Sequence, residues 1–507
     1  MYSKIYTAVC EGICGRCIEI ETDVSRGLPN FDIVGNPSVT VRESTRRIKA
    51  AIVNSGYEFP RQRITVNMLP ADIRKCGSQF DLPIAVGILS AEHFIDRKGL
   101  EKTAFFGELS MNGRVHGSGG ILPMLVEVRE RGIKKAFISS ESAEEAALVK
   151  GMDFVFIDTL KECVSVLNGE IPAKRTKKLK VFTGKDESDV DFSDVVGQDS
   201  VKRAIVISVA GRHGLLMVGS PGCGKSMLAR RIGTVMPKMD EEEILETSMI
   251  YSAAGEKCGG MLAGERPFRC PHYTIGRGGL IGGGLYPVPG EITLAHNGVL
   301  FMDEICEFSP DLIDKLRTPL EDKKIVHVRG GRSYSFPCDF LPVFAANPCK
   351  CGYYGDDRKP CICTPAERER YMKRLSGAIL DRIDLHIFME RVEYEGLEAG
   401  KGGLSSSEMK EQVDGAIAFA RRRSEGKPDE VKANGELSDQ EVRMMCVPDK
   451  GAKKFLKDAY RRLDMTPRAY MKTLKVARTI ADLDESPVIR TEHIAEAVGY
   501  RMTMRDM

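Results

Sequence analysis

No apolar run in the chain reaches the roughly eighteen residues that a membrane-spanning helix needs, so no transmembrane segment is expected. The opening residues, MYSKIYTAVCEGICGRC, lack the basic start, apolar core and small cleavage residues of a secretory signal. Charge of one sign is also missing. The net charge is only +2, so no global basic field announces nucleic acid, and any such contact must come from local patches. A protein with no leader and no span is expected in the cytoplasm. There its 15 cysteines are reduced thiols or metal ligands rather than disulfides. No long internal repeat is present, and no acidic metal-binding integrin-like domain.

What is present is size and ordinary globular composition. The 507 residues exceed one hydrophobic core, and 29% charged against 42% apolar residues is unremarkable for folded protein. Residues 1–168 mix strand-like segments (FDIVG, RITVNML, KAFISS) with helical ones (VRESTRRIKAAIVNSG, ILPMLVEVRERG). Residues 169–190 are charged and nearly free of large apolar side chains, and read as a linker. Residues 191–395 alternate apolar strands (GLLMVG, GVLFMD, FLPVFAA) with helices, as a parallel α/β sheet requires. Residues 396–507 are helical. Val413, Ala416, Ile417 and Ala420 share one face, as do Tyr470, Leu474, Ala477 and Ala481. Thr466 and Pro467 in MTPRAY open a helix as cap and first-turn residue.

GSPGCGKS, Gly219 to Ser226, fits the phosphate-loop pattern G-x-x-x-x-G-K-[ST], and it sits between an apolar strand and a helix. Gly219, Gly222 and Gly224 let backbone N–H groups turn toward phosphate oxygens, and the helix N-terminus adds partial positive charge. Lys225 is placed to reach the β- and γ-phosphates of ATP, and Ser226 to ligate Mg²⁺. The second part of such a site is a carboxylate at a neighbouring strand end. In GVLFMDEI, Asp303 can hold the Mg²⁺ shell and Glu304 can polarise the attacking water.

The acid pair, the upstream DFSDVVGQ and the helical block downstream resemble an AAA+ ATPase. That resemblance implies a ring, usually a hexamer, with ATP at subunit interfaces. It implies a polar sensor at Asn347 and an arginine finger acting across the interface at Arg382, with Arg374 as second candidate. A second sensor falls at Arg468. Closer still, RPFRCPHYTIGRGGLIGGG, VPGEITLAHNGVLFMDEICEFS, AANPCKCGYYGD and LSGAILDRIDLHI are similar to the magnesium-chelatase-like ATPases of the YifB/ComM family, and so is the N-terminal RGLPNFDIVGNPSVTVRESTRRIKAAIVNSG. The family implies an ATP-driven hexameric DNA helicase promoting branch migration in recombination or natural transformation. The alternative is a chelatase-type motor that remodels a protein partner.

The resemblance places a pore hairpin at KKIVHVRGGRSYSFP, where Gly330-Gly331 is itself a hairpin signal. Lys323, Lys324, Arg329 and Arg332 are then candidates for DNA phosphates, against an ordinary solvated hairpin. The glycine-rich YTIGRGGLIGGGLYPVPG is a second pore-loop candidate or a plain connector. GELSMNGRVHGSGGILPMLVEVRERGIKKAFIS resembles the Lon-protease domain, which has the ribosomal S5 domain 2-like α+β fold. In that family a lysine follows the GG-apolar turn, where this chain has Leu122. The nucleophilic serine aligns with Gln79, one place from Ser78, so the fold is expected without the protease. The overall expectation is a Lon-like α+β domain, an AAA+ parallel-sheet core and a helical lid.

Two groups of cysteines remain. Cys349, Cys351, Cys361 and Cys363, within 349–363, offer four thiolates for a structural tetrahedral Zn²⁺, or are free thiols. Cys10, Cys14 and Cys17 lie in strand-like sequence and are taken as packing or free thiols.

Overall fold

The computed structural model describes residues 1–98, 100–174, 190–391, 403–424 and 432–501. Most of the linker expected over 169–190, and the start of the helical block expected from 396, lie outside the described residues.

The first block is built on a seven-stranded mixed sheet. Strands β1 (Tyr2–Glu11) and β2 (Cys14–Ser25) form a long antiparallel pair. Beside them lie β3 (Asn30–Val34), β4 (Arg63–Leu69), β5 (Thr103–Phe105), β6 (Lys135–Ser139) and β7 (Asp153–Ile157), in the order β3-β4-β2-β1-β5-β6-β7. The helices take their places by their apolar faces. Helix α1 (Val39–Asn54) starts on Ser38, whose hydroxyl accepts the Val41 N–H, and buries Val41, Ile48 and Ile52. Helix α2 (Asp81–Ala91), DLPIAVGILSA, is apolar nearly all round and is buried along its whole length. Helix α3 (Ile121–Glu130) packs against β1 and β2.

The second block carries a five-stranded sheet in which every pairing is parallel: β8 (Leu215–Gly219), β9 (Phe268–Arg269), β10 (Val299–Met302), β13 (Leu341–Ala346) and β14 (Leu385–Met389), in the order β9-β10-β13-β8-β14. LLMVG and VLFM are buried at every position, as strands covered on both faces must be. One face is covered by helices α4 (Asp199–Gly211) and α5 (Lys225–Val235). Between β10 and β13, strands β11 (Lys324–Arg329) and β12 (Arg332–Pro337) form a separate hairpin. It turns at Gly330 and Gly331, both with positive φ (54° and 75°), the backbone that two-residue hairpin turns demand. The expected hairpin is therefore present.

The C-terminal helices α7 (Ser406–Ser424), α8 (Lys450–Arg462), α9 (Pro467–Leu483) and α10 (Thr491–Gly499) are not a separate oil drop. Val413, Ala416, Leu474, Ala477 and Ala481 join the same apolar cluster as Leu215, Met217 and Val343 of the parallel sheet. Thr466 caps α9 by accepting the Ala469 N–H at 3.1 Å, with Pro467 in the first turn, as the sequence predicts.

The first block docks on the second through α6 (Glu241–Ala254). Gly120 N donates to the Ser252 carbonyl (2.9 Å), Leu122 N donates to the Ser252 hydroxyl (3.2 Å), and Leu245 and Met249 extend the apolar cluster of α3. Among the described residues no helix is long and apolar enough to cross a membrane.

Candidate active site

The parallel order puts β8 between β13 and β14, where the connections change direction, and ligand crevices form beyond the carboxyl ends of strands at such a point. The residues that leave those ends converge. Lys225, at the start of α5, is buried, and its ammonium donates to the Gly219 carbonyl (2.6 Å), the Ser220 carbonyl (3.1 Å) and Asn347 Oδ1 (3.1 Å). Burial pushes its pKa down. Ser226 donates its hydroxyl to Asp303 Oδ2 at 2.5 Å, which joins the phosphate loop to the acid pair at the end of β10. Asn347 follows β13, between these two strands.

Local backbone explains the residue types. Gly222 and Gly224 have φ of +83° and +95°, and a Cβ on Gly219 would lie 2.7 Å from the Met389 carbonyl at the end of β14. Glu304 is exposed and sits in the left-handed region at φ 49°, and its N–H donates to Asp303 Oδ1 at 2.9 Å. A non-glycine residue held there is uncommon and clusters at functional sites. The donor set matches a magnesium nucleotide: a hydroxyl and a carboxylate are hard oxygen ligands, and an ammonium and a helix N-terminus face anionic oxygen.

The two other arginines lie apart from this group. Arg382 is largely buried, and its guanidinium pairs with Glu321 at 2.8 Å; Arg468 pairs with the same carboxylate. Together they hold the Glu321 carboxyl below its usual range. Among the described residues Arg382 forms no ion pair with its chain neighbours Asp381 and Asp384. Asp384 is instead taken by Lys472 of α9 (2.6 Å) and lies 3.4 Å from His213. Arg374, the second finger candidate, donates to the Cys306 carbonyl (2.9 Å).

Two of the four hairpin cations are not free for phosphate. Arg332 pairs with Glu11 (2.8 Å) and Asp72 (3.2 Å) of the first block, and Lys323 with Asp339 (3.1 Å) and Glu436. Arg329 and Lys324 are exposed. The expectation of four phosphate-binding cations narrows to these two, because carboxylates distant in sequence fold onto the others. Within the glycine-rich stretch, Tyr286 stacks under the Arg74 guanidinium at 5.4 Å.

The four-cysteine loop lies against the phosphate loop. The thiols of Cys349, Cys351, Cys361 and Cys363 lie within 4.8 Å of one another, with Sγ–Sγ distances of 3.3 Å (349–351), 3.7 Å (349–361) and 3.6 Å (351–361). Tetrahedral zinc with Zn–S near 2.3 Å requires sulfurs roughly 3.8 Å apart, so the four thiols fit that ion. Cys10, Cys14 and Cys17 are free thiols, and burial pushes Cys10 up to about 12.

In the first block, Ser78 donates to Glu108 Oε2 at 2.5 Å. Lys75, the basic residue nearest in sequence, is buried with its ammonium on the carbonyls of Gly35 (2.9 Å) and Pro70. Leu122 is fully buried under α6.

Three family models match in chain order: subunit ChlI of Mg-chelatase over residues 20–142, magnesium chelatase subunit ChlI over 191–397, and its C-terminal part over 403–501. The chain is 37% identical over 508 residues to the competence protein ComM of Haemophilus influenzae, covering 99% of this chain and 97% of that protein.

The chain belongs to the YifB/ComM family of magnesium-chelatase-like AAA+ proteins.

YifB of Escherichia coli is 36% identical over 501 residues, covering 98% of this chain and 97% of its own. Lon protease 2 of Bacillus subtilis is 31% identical over 145 residues, 26% of each chain. As in that family's expected fold, the α/β architecture joins a Lon-like first block to an AAA+ parallel sheet. Sequence reasoning missed two pairings: Glu321, the shared partner of Arg382 and Arg468, and, beside the phosphate loop, an ion pair between Asp356 and Arg391 at 3.1 Å. Neither carries a local motif. Only the crowding of acid and base in GDDRK hinted at the second.

Proposed function

We propose that the chain is a cytoplasmic, Mg²⁺-dependent ATPase that assembles as a ring, in its family form a hexamer, and translocates on DNA to drive branch migration. The observation that carries the ATPase reading is the meeting of Lys225, Ser226, Asp303 and Asn347 at one sheet edge, with Glu304 in a left-handed conformation beside them. In this reading Lys225 and the N–H groups from Gly219 to Ser226 bind the β- and γ-phosphates. Ser226 and Asp303 would hold Mg²⁺, which, when bound, offsets charge on the phosphate oxygens. Glu304 orients the attacking water and takes its proton, and Asn347 aligns that water. Arg382 serves the neighbouring subunit's nucleotide across the interface, and Arg468 couples nucleotide state to the helical lid. Cys349, Cys351, Cys361 and Cys363 hold a structural Zn²⁺ with no open position.

DNA as the substrate is supported by the near-full-length likeness to a protein named for competence, and by the exposed Arg329 and Lys324 on the hairpin. The division of labour follows the four parts of the chain, 1–168, 169–190, 191–395 and 396–507. The first part serves assembly or DNA contact rather than proteolysis. A second reading, a motor that remodels a protein partner, is favoured by the chelatase-subunit models that match all three folded parts. ATPase activity and strand displacement, measured on three- and four-strand DNA junctions, separate the two. Stimulation by junctions with strand exchange supports the DNA motor. Hydrolysis indifferent to DNA and raised by a partner protein supports the other.

A further inference from the structure

Asp356 lies on the loop between the two C-x-C pairs, and its side chain is only 2% exposed. Its Oδ1 accepts the N–H groups of Arg358 and Lys359, both at 3.0 Å, and its Oδ2 faces Arg391 Nε at 3.1 Å. Arg391 follows β14, the strand whose last carbonyl abuts Gly219. From there its guanidinium reaches the outside of the phosphate loop, with Nε to the Ser220 hydroxyl (3.3 Å) and Nη2 to the Pro221 carbonyl (3.0 Å), over the Tyr353 ring at 5.8 Å. Gly352 also packs under the Pro221 ring here, since a Cβ on Gly352 would lie 2.7 Å from its ring carbons.

We propose that Asp356 and Arg391 form a strut by which the four-cysteine loop holds the phosphate loop in its nucleotide-binding shape, so that nucleotide affinity depends on the state of the thiolate knot. The inference rests on the ATPase reading above. Arg391 is a positioning residue: its Nε–H goes to the Ser220 hydroxyl and its Nη2 to the Pro221 carbonyl, while its charge faces the Asp356 carboxylate. A buried carboxylate is retained at a desolvation cost, and it is held here by a cation and two backbone donors. The four thiolates fix both ends of residues 352–360, and that segment presents Gly352, Tyr353 and Asp356 to Pro221 and Arg391. Opening the knot frees those ends, and the strut loses its anchor.

The test is equilibrium binding of a fluorescent ATP analogue to the full chain, with zinc content and steady-state kinetics measured on the same samples. Arg391→Gln, which keeps the stem against Tyr353, and Asp356→Asn should each raise Kd and KM about tenfold, within the range of coupled buried pairs. The expected kcat stays within about twofold, and zinc content is unchanged. The double variant should be no worse than either single. Cys361→Ser with Cys363→Ser should raise Kd similarly and add nothing in the Arg391→Gln background. Unchanged Kd in folded, zinc-retaining single variants overturns the strut, as do additive losses in the double variant. Variants that fail to fold leave Ser220→Ala, which removes only the hydroxyl contact and should raise Kd about threefold; no rise there also overturns it. Absence of nucleotide binding by the unaltered chain is a different result, and it removes the ATPase reading itself.

Discussion

At the carboxyl edge of the parallel sheet, side chains from the ends of three strands meet within hydrogen-bonding distance: Lys225 on Asn347 and Ser226 on Asp303. At the turn ahead of α2 in the Lon-like block, the fold is kept and the constellation is not. Ser78 meets a glutamate, Lys75 is committed to two carbonyls, and Leu122 fills the place of a base. Both regions belong to folds that host catalysis in relatives, yet only one presents a matched donor and acceptor set. A fold supplies positions, and chemistry depends on which residues stand at them. The α3 turn, where the Lon resemblance expects a base, is also docked on Ser252 of α6.

The contrast predicts unequal sensitivity. Lys225→Ala should abolish measurable nucleotide binding and lower turnover by about a hundredfold or more, the scale of losing a preorganised electrostatic partner. Under the proposed mechanism, Glu304→Gln should keep nucleotide affinity and lower hydrolysis by about a hundredfold, because the phosphate-binding set is untouched while the proposed acceptor of the water proton is gone. Binding and turnover measured on both variants check this; turnover within threefold of the parent in either one breaks the contrast. Mixing Arg382→Ala with Lys225→Ala protein should restore part of the hydrolysis at hybrid interfaces. Mixtures that co-assemble yet never exceed their inactive parents remove Arg382 from the trans role, leaving it as a partner of Glu321.

What sequence made legible was local. Buried strands such as VLFM, the Thr466 cap, the Gly330-Gly331 turn and the phosphate loop are each written in a few consecutive residues, and each is present. What it hid was pairing across distance. Arg332 meets Glu11 from the other end of the chain, and Arg382 and Arg468 share a glutamate between them in no motif. A charged side chain in sequence carries no record of its partner, so two of the hairpin cations read as phosphate candidates, Lys323 and Arg332, already hold carboxylates. The C-terminal helices show the same limit: their apolar faces were readable, but the fact that they complete the sheet's own core was not.

The revised hairpin gives a smaller and more specific effect. Arg329→Ala should spare basal ATPase and reduce the salt dependence of DNA binding by about one unit of slope, the loss of one phosphate contact. Binding titrations across a range of salt concentrations read this directly. An unchanged slope and unchanged affinity take the hairpin tip off the DNA path and shift support to the protein-remodelling reading.

The smallest expected effect is at Ser78. A serine attacks a peptide only when a base removes its proton, and the Lon-type base is a lysine. Here the residue at that place is Leu122, fully buried, and the lysine nearest Ser78 in sequence spends its ammonium on the Gly35 and Pro70 carbonyls. Glu108 accepts the Ser78 hydroxyl; this is the contact of a hydroxyl tied to a carboxylate, and it leaves a half-buried hydrogen bond as the serine's main role. Ser78→Ala should therefore leave peptide cleavage by the purified protein at background and lower the melting temperature by a few degrees at most, in keeping with roughly 1.5 kcal/mol for a hydrogen bond to a charged group. Peptidase assays run with and without ATP on both proteins decide it. A cleavage present in the parent and lost in the variant would mean that Glu108 serves as a base after all, and that the first block retained a protease by different means.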